Sequence, residues 1–315
     1  FNFDNKIHEK FLVNKGFYVT DESRCNYMST FLSLNSTLNM RYLDTYNSLS
    51  NQSKKSIISK STKNNAVAKY LKKKGYKTIN IDGGLGPLSH NINYDYNLAL
   101  EEFSFFGEFN VAFLHTTPLQ IFIGYLIDTH HKKSVLYAFD KIPKLDNIEG
   151  PKFVTSHIVS PHPPYFFDEN GKELINNSIR MNNEWNNKNQ YLGQIRFLNK
   201  KMEVLIDDLL NKSKNTVIII QSDHGSSFLS GDWKKPKPKF IKERSLIINN
   251  IYINNSDYKN YYNNISSVNT FRVLFNDLFN DNLEILKDIT YYSNYDKPFE
   301  FKNVTQTLDC IISID

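Results

Sequence analysis

The sequence of 315 residues predicts an α/β fold, with a doubly wound, mostly parallel central sheet and helices on both faces. Segments with helical periodicity alternate along the chain with short runs of β-branched residues. The clearest run, residues 217–220, has four consecutive β-branched residues, a pattern typical of a strand buried on both faces. It leads into Asp223, His224 and Gly225. Because functional groups in open α/β sheets lie beyond the carboxyl ends of strands, we expect a site there.

The predicted elements follow this alternation through the whole chain. Helices are predicted at 4–14, from about residue 31, at 64–74, 190–210 and 269–279. Strands are predicted at 17–19, 76–81, 134–139, 152–159, 217–220 and 245–253. The helix at 190–210 has the most regular apolar stripe, since its apolar positions step by 4, 3, 4, 3 and 4 residues. We find no linker and no internal repeat, so a single domain over 1–315 is predicted.

Composition predicts a soluble globular domain, with 40% hydrophobic and 23% charged residues. The net charge is +5, and the lysines form short clusters that are typical of solvated surfaces; a mild attraction to anionic substrates or membrane surfaces is the less favoured reading. No nucleic-acid partner is predicted. Cys25 and Cys310 form neither a disulfide framework nor a metal-binding spacing.

No segment is predicted to cross a membrane. The most apolar one, residues 111–127, contains His115, Pro118 and Gln120, and is better interpreted as a buried or groove-lining helix. The first residues of this sequence, from Phe1, are not predicted to form a signal peptide.

A hydroxyl pair, Ser29 and Thr30, precedes the predicted helix that begins near residue 31. Either residue could cap the helix through its side-chain oxygen. Alternatively, one hydroxyl could be a nucleophile whose alkoxide is stabilised by the helix dipole and a metal ion. The spacing alone favours the cap.

Two further segments contain candidate site residues. Asp223 and His224 could bind one borderline metal such as zinc or manganese, or they could form an ordinary turn with a capping aspartate. His162 lies among prolines just after the strand at 152–159, so it projects from a stiff loop. His157 lies inside that strand, where a lone histidine is more often part of the core.

Taken together and in this order, three motifs resemble sulfatase-like proteins of the alkaline phosphatase superfamily. The motifs are Asn26-Tyr27-Met28-Ser29-Thr30, the segment from His157 to Asp168 that contains Ser160-Pro161-His162-Pro163, and Ser222-Asp223-His224-Gly225. The nearest branch contains lipoteichoic-acid-synthase-like and phosphoethanolamine-transferase-like enzymes, and the resemblance covers nearly the whole chain. It implies an alkaline-phosphatase-like fold.

The resemblance also implies a set of roles. Thr30 would be the nucleophile and a metal ligand, and Asp223 and His224 would be further ligands of the same divalent ion. His162 would contact the transferred group or a second metal; His157 and Asn26 are weaker candidates for that place. Zinc or manganese is the expected metal, with magnesium or calcium as alternatives. The expected reaction is hydrolysis or transfer at phosphate esters of a lipid or cell-surface glycan.

Two departures from the family pattern leave alternatives open. The acidic metal ligand on a first strand, and a histidine after the Asp-His-Gly turn, have no counterpart in this sequence. We therefore expect a chain without its first strand and without any upstream membrane segment, and a catalytically incomplete glycan-binding protein is an alternative. Sulfate-ester hydrolysis is a second alternative, although Cys25 does not lie in the Cys/Ser-x-Pro-x-Arg pattern of true sulfatases. The family implies an extracytoplasmic domain anchored to a membrane through a segment outside this chain.

Overall fold

The computed structural model describes residues 3–46, 49–84, 86–89, 91–100, 120–174, 187–213, 215–229 and 233–312. Its chain divides into two compact units. Unit 1 consists of residues 1–8 and 71–213, and unit 2 consists of residues 9–70 and 214–315. The apolar segment predicted at 111–127 lies mostly outside the described residues.

Unit 1 is built on a parallel sheet of three strands in the order β2-β1-β3. The strands are β1 (Lys77–Gly83), β2 (Tyr96–Leu98) and β3 (Lys152–Ile158). Two long helices, α5 (Gln120–Lys141) and α6 (Lys188–Lys212), belong to the same unit. The core lies where the fully buried Ile79 and Ile81 of β1 meet Ala138 of α5. This arrangement agrees with the predicted parallel α/β pattern.

The prediction of a strand at 134–139 is wrong, because these residues lie inside helix α5. Val135, Ala138 and Phe139 are buried, which is the i, i+3, i+4 spacing of one helical face. Taken alone, a run of six mostly apolar residues fits both the period of a helix and that of a strand. Helix α6 confirms the helix predicted at 190–210, and its buried Phe197 and Leu205 pack with Val135 and Phe139.

The described part of unit 2 consists mainly of helices, with two short antiparallel pairs of strands. Its elements are α1 (Lys6–Asn14, which begins in unit 1), α2 (Thr30–Asn39), a 3₁₀ turn (Asp44–Tyr46), α3 (Asn51–Lys63), α4 (Ala66–Lys73, which ends in unit 1), β4 (Val217–Gln221), α7 (Pro238–Ser245), β5 (Asn249–Ile253), α8 (Ser267–Phe279), β6 (Tyr291–Tyr292), β7 (Lys302–Asn303) and α9 (Thr305–Ile312). The predicted strand at 17–19 is reduced to a single bridge between Tyr18 and Ile251.

Strand β4 differs from its prediction in direction and burial. It pairs antiparallel with β5, with Ile219 opposite Ile251, and its residues are half-buried or exposed rather than buried on both faces. β-Branched residues favour a strand but do not determine which way its neighbour runs. No described helix is apolar and long enough to serve as a membrane span.

Candidate active site

Helix α2 places the Thr30 hydroxyl at its first turn. Ser29 occupies the N-cap position in extended conformation, but its side chain makes no capping hydrogen bond. The Ser29 Oγ is buried and has no hydrogen-bond partner among the described residues. The Ser29 side chain therefore does not cap the helix. Thr30, the first residue of the helix, lies where the helix dipole favours negative charge.

The turn after β4 brings an imidazole and a carboxylate to this helix. The Thr30 Oγ1 lies 3.2 Å from the His224 Nε2, and an Asp223 carboxylate oxygen lies 3.4 Å from the same nitrogen. The Asp223 and His224 side chains are 18% and 15% exposed, so the site is shielded yet open to solvent. The Ser33 hydroxyl donates to the Asp223 carbonyl at 2.6 Å. Since Thr30 and Ser33 are three residues apart, both lie on the helix face that meets the turn.

The buried Arg244 of α7 fixes the orientation of the histidine. Its Nη2 donates to the His224 Nε2 at 3.0 Å, and its Nη1 donates to the Gly225 carbonyl at 2.8 Å. A guanidinium has no acceptor, so the His224 Nε2 must be the unprotonated nitrogen. The proton is then on Nδ1, which donates to the Gly225 carbonyl at 3.0 Å. The Thr30 hydroxyl, 3.2 Å from the same nitrogen, competes with Arg244 for this single lone pair.

The glycine of the turn is required by close packing against α7. A Cβ on Gly225 would lie 2.0 Å from the Glu243 carbonyl oxygen and 2.9 Å from the Leu246 carbonyl oxygen. The Glu243 carboxylate accepts hydrogen bonds from the Phe228 and Leu229 amides at 2.8 and 2.7 Å, and also from the Ser226 hydroxyl. Helix α7 therefore supports the turn through backbone and side chain alike.

The donor set at this turn fits a divalent metal in part. A hydroxyl, a carboxylate and an imidazole with its lone pair on Nε2 are ligands that zinc and manganese accept. Among the residues that the structure describes, no group of three or more histidine, cysteine, aspartate and glutamate side chains could hold a metal. A metal at Nε2 would also replace the Arg244 hydrogen bond, because one lone pair cannot serve both.

Two neighbouring residues serve the framework. Asn26 is fully buried; its amide donates to the Tyr42 hydroxyl, the Ser266 hydroxyl and the Ile289 carbonyl, and its oxygen accepts from the Val268 amide at 2.7 Å. The amide predicted as a candidate ligand is thus fully engaged within unit 2. Burial raises the pKa of the Cys25 thiol to about 12, so this cysteine is not a nucleophile near neutral pH.

The two remaining candidates, His157 and His162, belong to unit 1. His157 lies in β3, where it is half-buried and in register with Asp82 of β1. His162 is exposed in the loop that follows β3, and its Nδ1 lies 2.5 Å from the Pro163 carbonyl oxygen.

The loop after β3 is held by His131 of α5. The His131 Nε2 lies 2.7 Å from the Val159 carbonyl oxygen, and its ring meets the edge of Phe166. Nearby, the buried Asp82 accepts from the Gly84 amide at 3.1 Å and from the Ser89 hydroxyl at 3.2 Å. The contacts of His131 with Val159 and Phe166 hold the loop of His162, whereas those of Asp82 hold the loop after β1.

Sequence reasoning assigned no role to Ser33, Glu243, Arg244 or His131. For the two residues of α7, the available signal was that an acidic and a basic residue, Glu243 and Arg244, stand next to each other just before a predicted strand. Ser33 could have been found from its three-residue spacing to Thr30. His131 gave no signal, because its partner is a backbone carbonyl 28 positions away in the sequence.

Comparison with known proteins identifies a family. The Sulfatase family model matches residues 8–273. No curated protein matches the chain significantly.

Several solved structures share the fold at low sequence identity. The C-terminal periplasmic domain of EptC from Escherichia coli has a TM-score of 0.59 and 13% identity, with 96% of this chain and 86% of that chain covered. Its complex with zinc has a TM-score of 0.57 and 12% identity, with 94% and 85% covered. The corresponding domain of phosphoethanolamine transferase EptC from Campylobacter jejuni has a TM-score of 0.52 and 12% identity, with 88% and 82% covered.

A third neighbour is a Bacteroides thetaiotaomicron structure described in connection with the metabolism of multiple glycosaminoglycans. It has a TM-score of 0.54 and 14% identity, with 96% of this chain and 76% of that chain covered. These likenesses confirm the predicted alkaline-phosphatase-like α/β fold class. Since the family model spans most of the sequence, this chain belongs to the sulfatase family.

Proposed function

We propose that this protein is a metal-dependent hydrolase or transferase that acts on phosphate esters of a lipid or cell-surface glycan, with Thr30 as its nucleophile. The observation that carries the proposal is that the Thr30 hydroxyl lies 3.2 Å from the His224 Nε2, with an Asp223 carboxylate oxygen 3.4 Å from the same nitrogen. Membership of the sulfatase family and the likeness to EptC support an enzyme that modifies phosphate or sulfate esters.

Thr30, Asp223 and His224 would hold the divalent ion, and the zinc complex of EptC supports zinc as the first candidate. When bound, such an ion lowers the pKa of a coordinated hydroxyl and offsets negative charge on the ester oxygens. Imidazole ligands favour zinc or manganese over magnesium or calcium.

The chain itself supplies the remaining parts of the chemistry. The N-terminus of α2 stabilises negative charge on the Thr30 oxygen. Arg244 orients the His224 ring and adds positive charge beside it.

The extracytoplasmic location is part of the proposal. The E. coli neighbour is a periplasmic domain, and we propose the same side of the membrane for this chain, with an anchor in a segment outside it.

The test compares Thr30→Ala and Thr30→Ser with the unaltered protein. Turnover of bis(p-nitrophenyl) phosphate is measured after chelation and after addition of zinc or manganese. We expect metal-restored turnover in the unaltered protein, a residual fraction in Thr30→Ser and none in Thr30→Ala. Full activity in Thr30→Ala would remove this residue from the mechanism.

Sulfate-ester hydrolysis is the second candidate, because the family and the Bacteroides neighbour leave the ester class open. The same assay with p-nitrophenyl sulfate decides between phosphate and sulfate esters. A strong preference for sulfate would make sulfate-ester hydrolysis the first candidate. A glycan-binding protein without turnover is the third candidate, since the described residues offer no group of three or more histidine, cysteine, aspartate and glutamate ligands. Binding of a glycan without turnover of either ester would support that reading.

A further inference from the structure

A surface of unit 2 beside the candidate active site combines four lysines with two aromatic rings. We call it the lysine–aromatic surface; it consists of Trp233, Tyr295 and Lys234, Lys235, Lys237 and Lys239. Lys235, Lys237 and Lys239 are exposed and have no ion pair among the described residues. Lys234 pairs with Asp296 at 3.1 Å, with both side chains largely exposed.

The aromatic part of this surface is firmly packed on one side and open on the other. Tyr295 is 65% exposed, and its ring lies 4.9 Å from that of Trp233. The half-buried Trp233 in turn meets Phe240 edge-on at 4.8 Å and accepts, through its carbonyl, a hydrogen bond from the Tyr292 hydroxyl. The exposed tyrosine therefore stands on a rigid base.

The lysines are presented by a stiff segment. Pro236 and Pro238 flank Lys237, which is the N-cap residue of α7, and Pro238 opens the helix. Proline fixes the backbone dihedral φ, so the segment loses little conformational freedom on binding.

We propose that the lysine–aromatic surface docks on the headgroup layer of an anionic lipid membrane. Clustered lysines are attracted to anionic headgroups, and each adds to the affinity. Tyrosine and tryptophan have an apolar body and a polar edge that suit the boundary between headgroups and acyl chains. A soluble polyanion would use the lysines alone, whereas a membrane uses both halves of the surface.

The position of this surface links docking to the site. Helix α7 begins at the lysines, and near its end Arg244 donates to the Gly225 carbonyl of the turn while Glu243 accepts from the Phe228 amide just after it. Its 8 residues span about 12 Å. The Arg244 guanidinium also lies over the Trp233 ring at 6.0 Å. Docking through the lysines would therefore hold the turn at about the length of α7 from the headgroups, whichever reaction the site catalyses.

The experiment measures co-sedimentation with vesicles of phosphatidylcholine, with and without phosphatidylglycerol. The test variant carries Lys235→Gln, Lys237→Gln and Lys239→Gln. A matched control carries Lys10→Gln, Lys55→Gln and Lys60→Gln, which remove the same charge from exposed positions elsewhere in unit 2. Inorganic polyphosphate serves as a soluble polyanion.

We expect binding only to vesicles with phosphatidylglycerol, weakened about a hundredfold in the test variant and much less in the control. Added salt should weaken it as well. Tyr295→Ser should reduce vesicle binding without changing polyphosphate binding. In a Trp185→Phe background, the emission of Trp233 should shift to the blue with anionic vesicles.

Three results would overturn the proposal: no binding to anionic vesicles, equal losses in the test and control variants, or binding of polyphosphate alone. None of these readouts depends on turnover, so they test membrane docking separately from the proposed reaction.

Discussion

At Gly225 the backbone of the candidate site leaves no room for a side chain. The Cβ of an alanine there would lie 2.0 Å from the Glu243 carbonyl oxygen, which is backbone and cannot rotate away. The residue type at this position is therefore dictated by the contact between the turn and α7, in addition to any chemistry of its neighbours.

Gly225→Ala should lower the free energy of unfolding by about 3 kcal/mol, because the turn or α7 must shift. Gly193→Ala is the control, since its Cβ would meet neighbours at ordinary distances of 3.5 Å or more inside α6. That substitution should stabilise the protein by about 0.5–1 kcal/mol. Urea unfolding of both variants measures the difference, and equal effects would contradict the contact described here.

At the scale of elements, α2 and the turn after β4 are joined by two hydrogen bonds one helical turn apart. One is made by Thr30 and the other by Ser33. The second can be removed without touching the proposed nucleophile.

Ser33→Ala should cost about 1–2 kcal/mol of stability, because the Asp223 carbonyl loses its donor in a half-buried place. Turnover of a phosphodiester should fall as well, since the turn is less well fixed. Ser59→Ala, on the exposed face of α3, is the control and should change neither quantity. An unchanged stability in Ser33→Ala would show that this hydrogen bond does not hold the turn.

The helical state of residues 134–139 gives another test. Lys133→Pro places a proline inside α5, where it should cost about 3 kcal/mol and reduce helical content in circular dichroism. In a strand beginning at residue 134 the same proline would be tolerated at the boundary. Lys133→Ala is the control, because alanine favours a helix.

How far the sequence predicts the structure depends on the range of the determining contacts. Helix α6 follows from its own apolar period, and the Asp223–Gly225 turn follows from the strand before it. The direction of β4 and the helical state of 134–139 depend on partners far along the chain, which local patterns do not specify. In the site, Thr30, Asp223 and His224 could be proposed from motifs, whereas the role of Arg244 depends on packing between α7 and the turn.

At the scale of the whole molecule, stability should depend on the protonation of His131. Burial lowers the pKa of this imidazole to about 4, the hydrogen bond to the Val159 carbonyl opposes the shift, and His162, His130 and His157 add to it. The unfolded chain binds a proton near pH 6.5, and the folded protein binds it only near pH 4. Unfolding therefore becomes easier as the pH falls through this interval.

The free energy of unfolding should decrease between pH 6.5 and pH 4 by up to about 3 kcal/mol from this residue. His131→Gln keeps a donor for the Val159 carbonyl but cannot titrate, so its decrease over this interval should be smaller. Chemical unfolding at a series of pH values measures both slopes. Identical slopes would show that His131 titrates normally in the folded protein.

The two segments of unit 2 have a consequence for how the protein is made. Thr30 comes from the segment 9–70, and Asp223 and His224 come from the segment 214–315, with most of unit 1 synthesised between them. During translation, residues 71–213 can therefore acquire their own sheet and helices while the first segment still lacks its partner. The nascent chain gains a complete site only after residue 224 has been synthesised, and pairing the two segments carries the entropic cost of closing the long intervening loop.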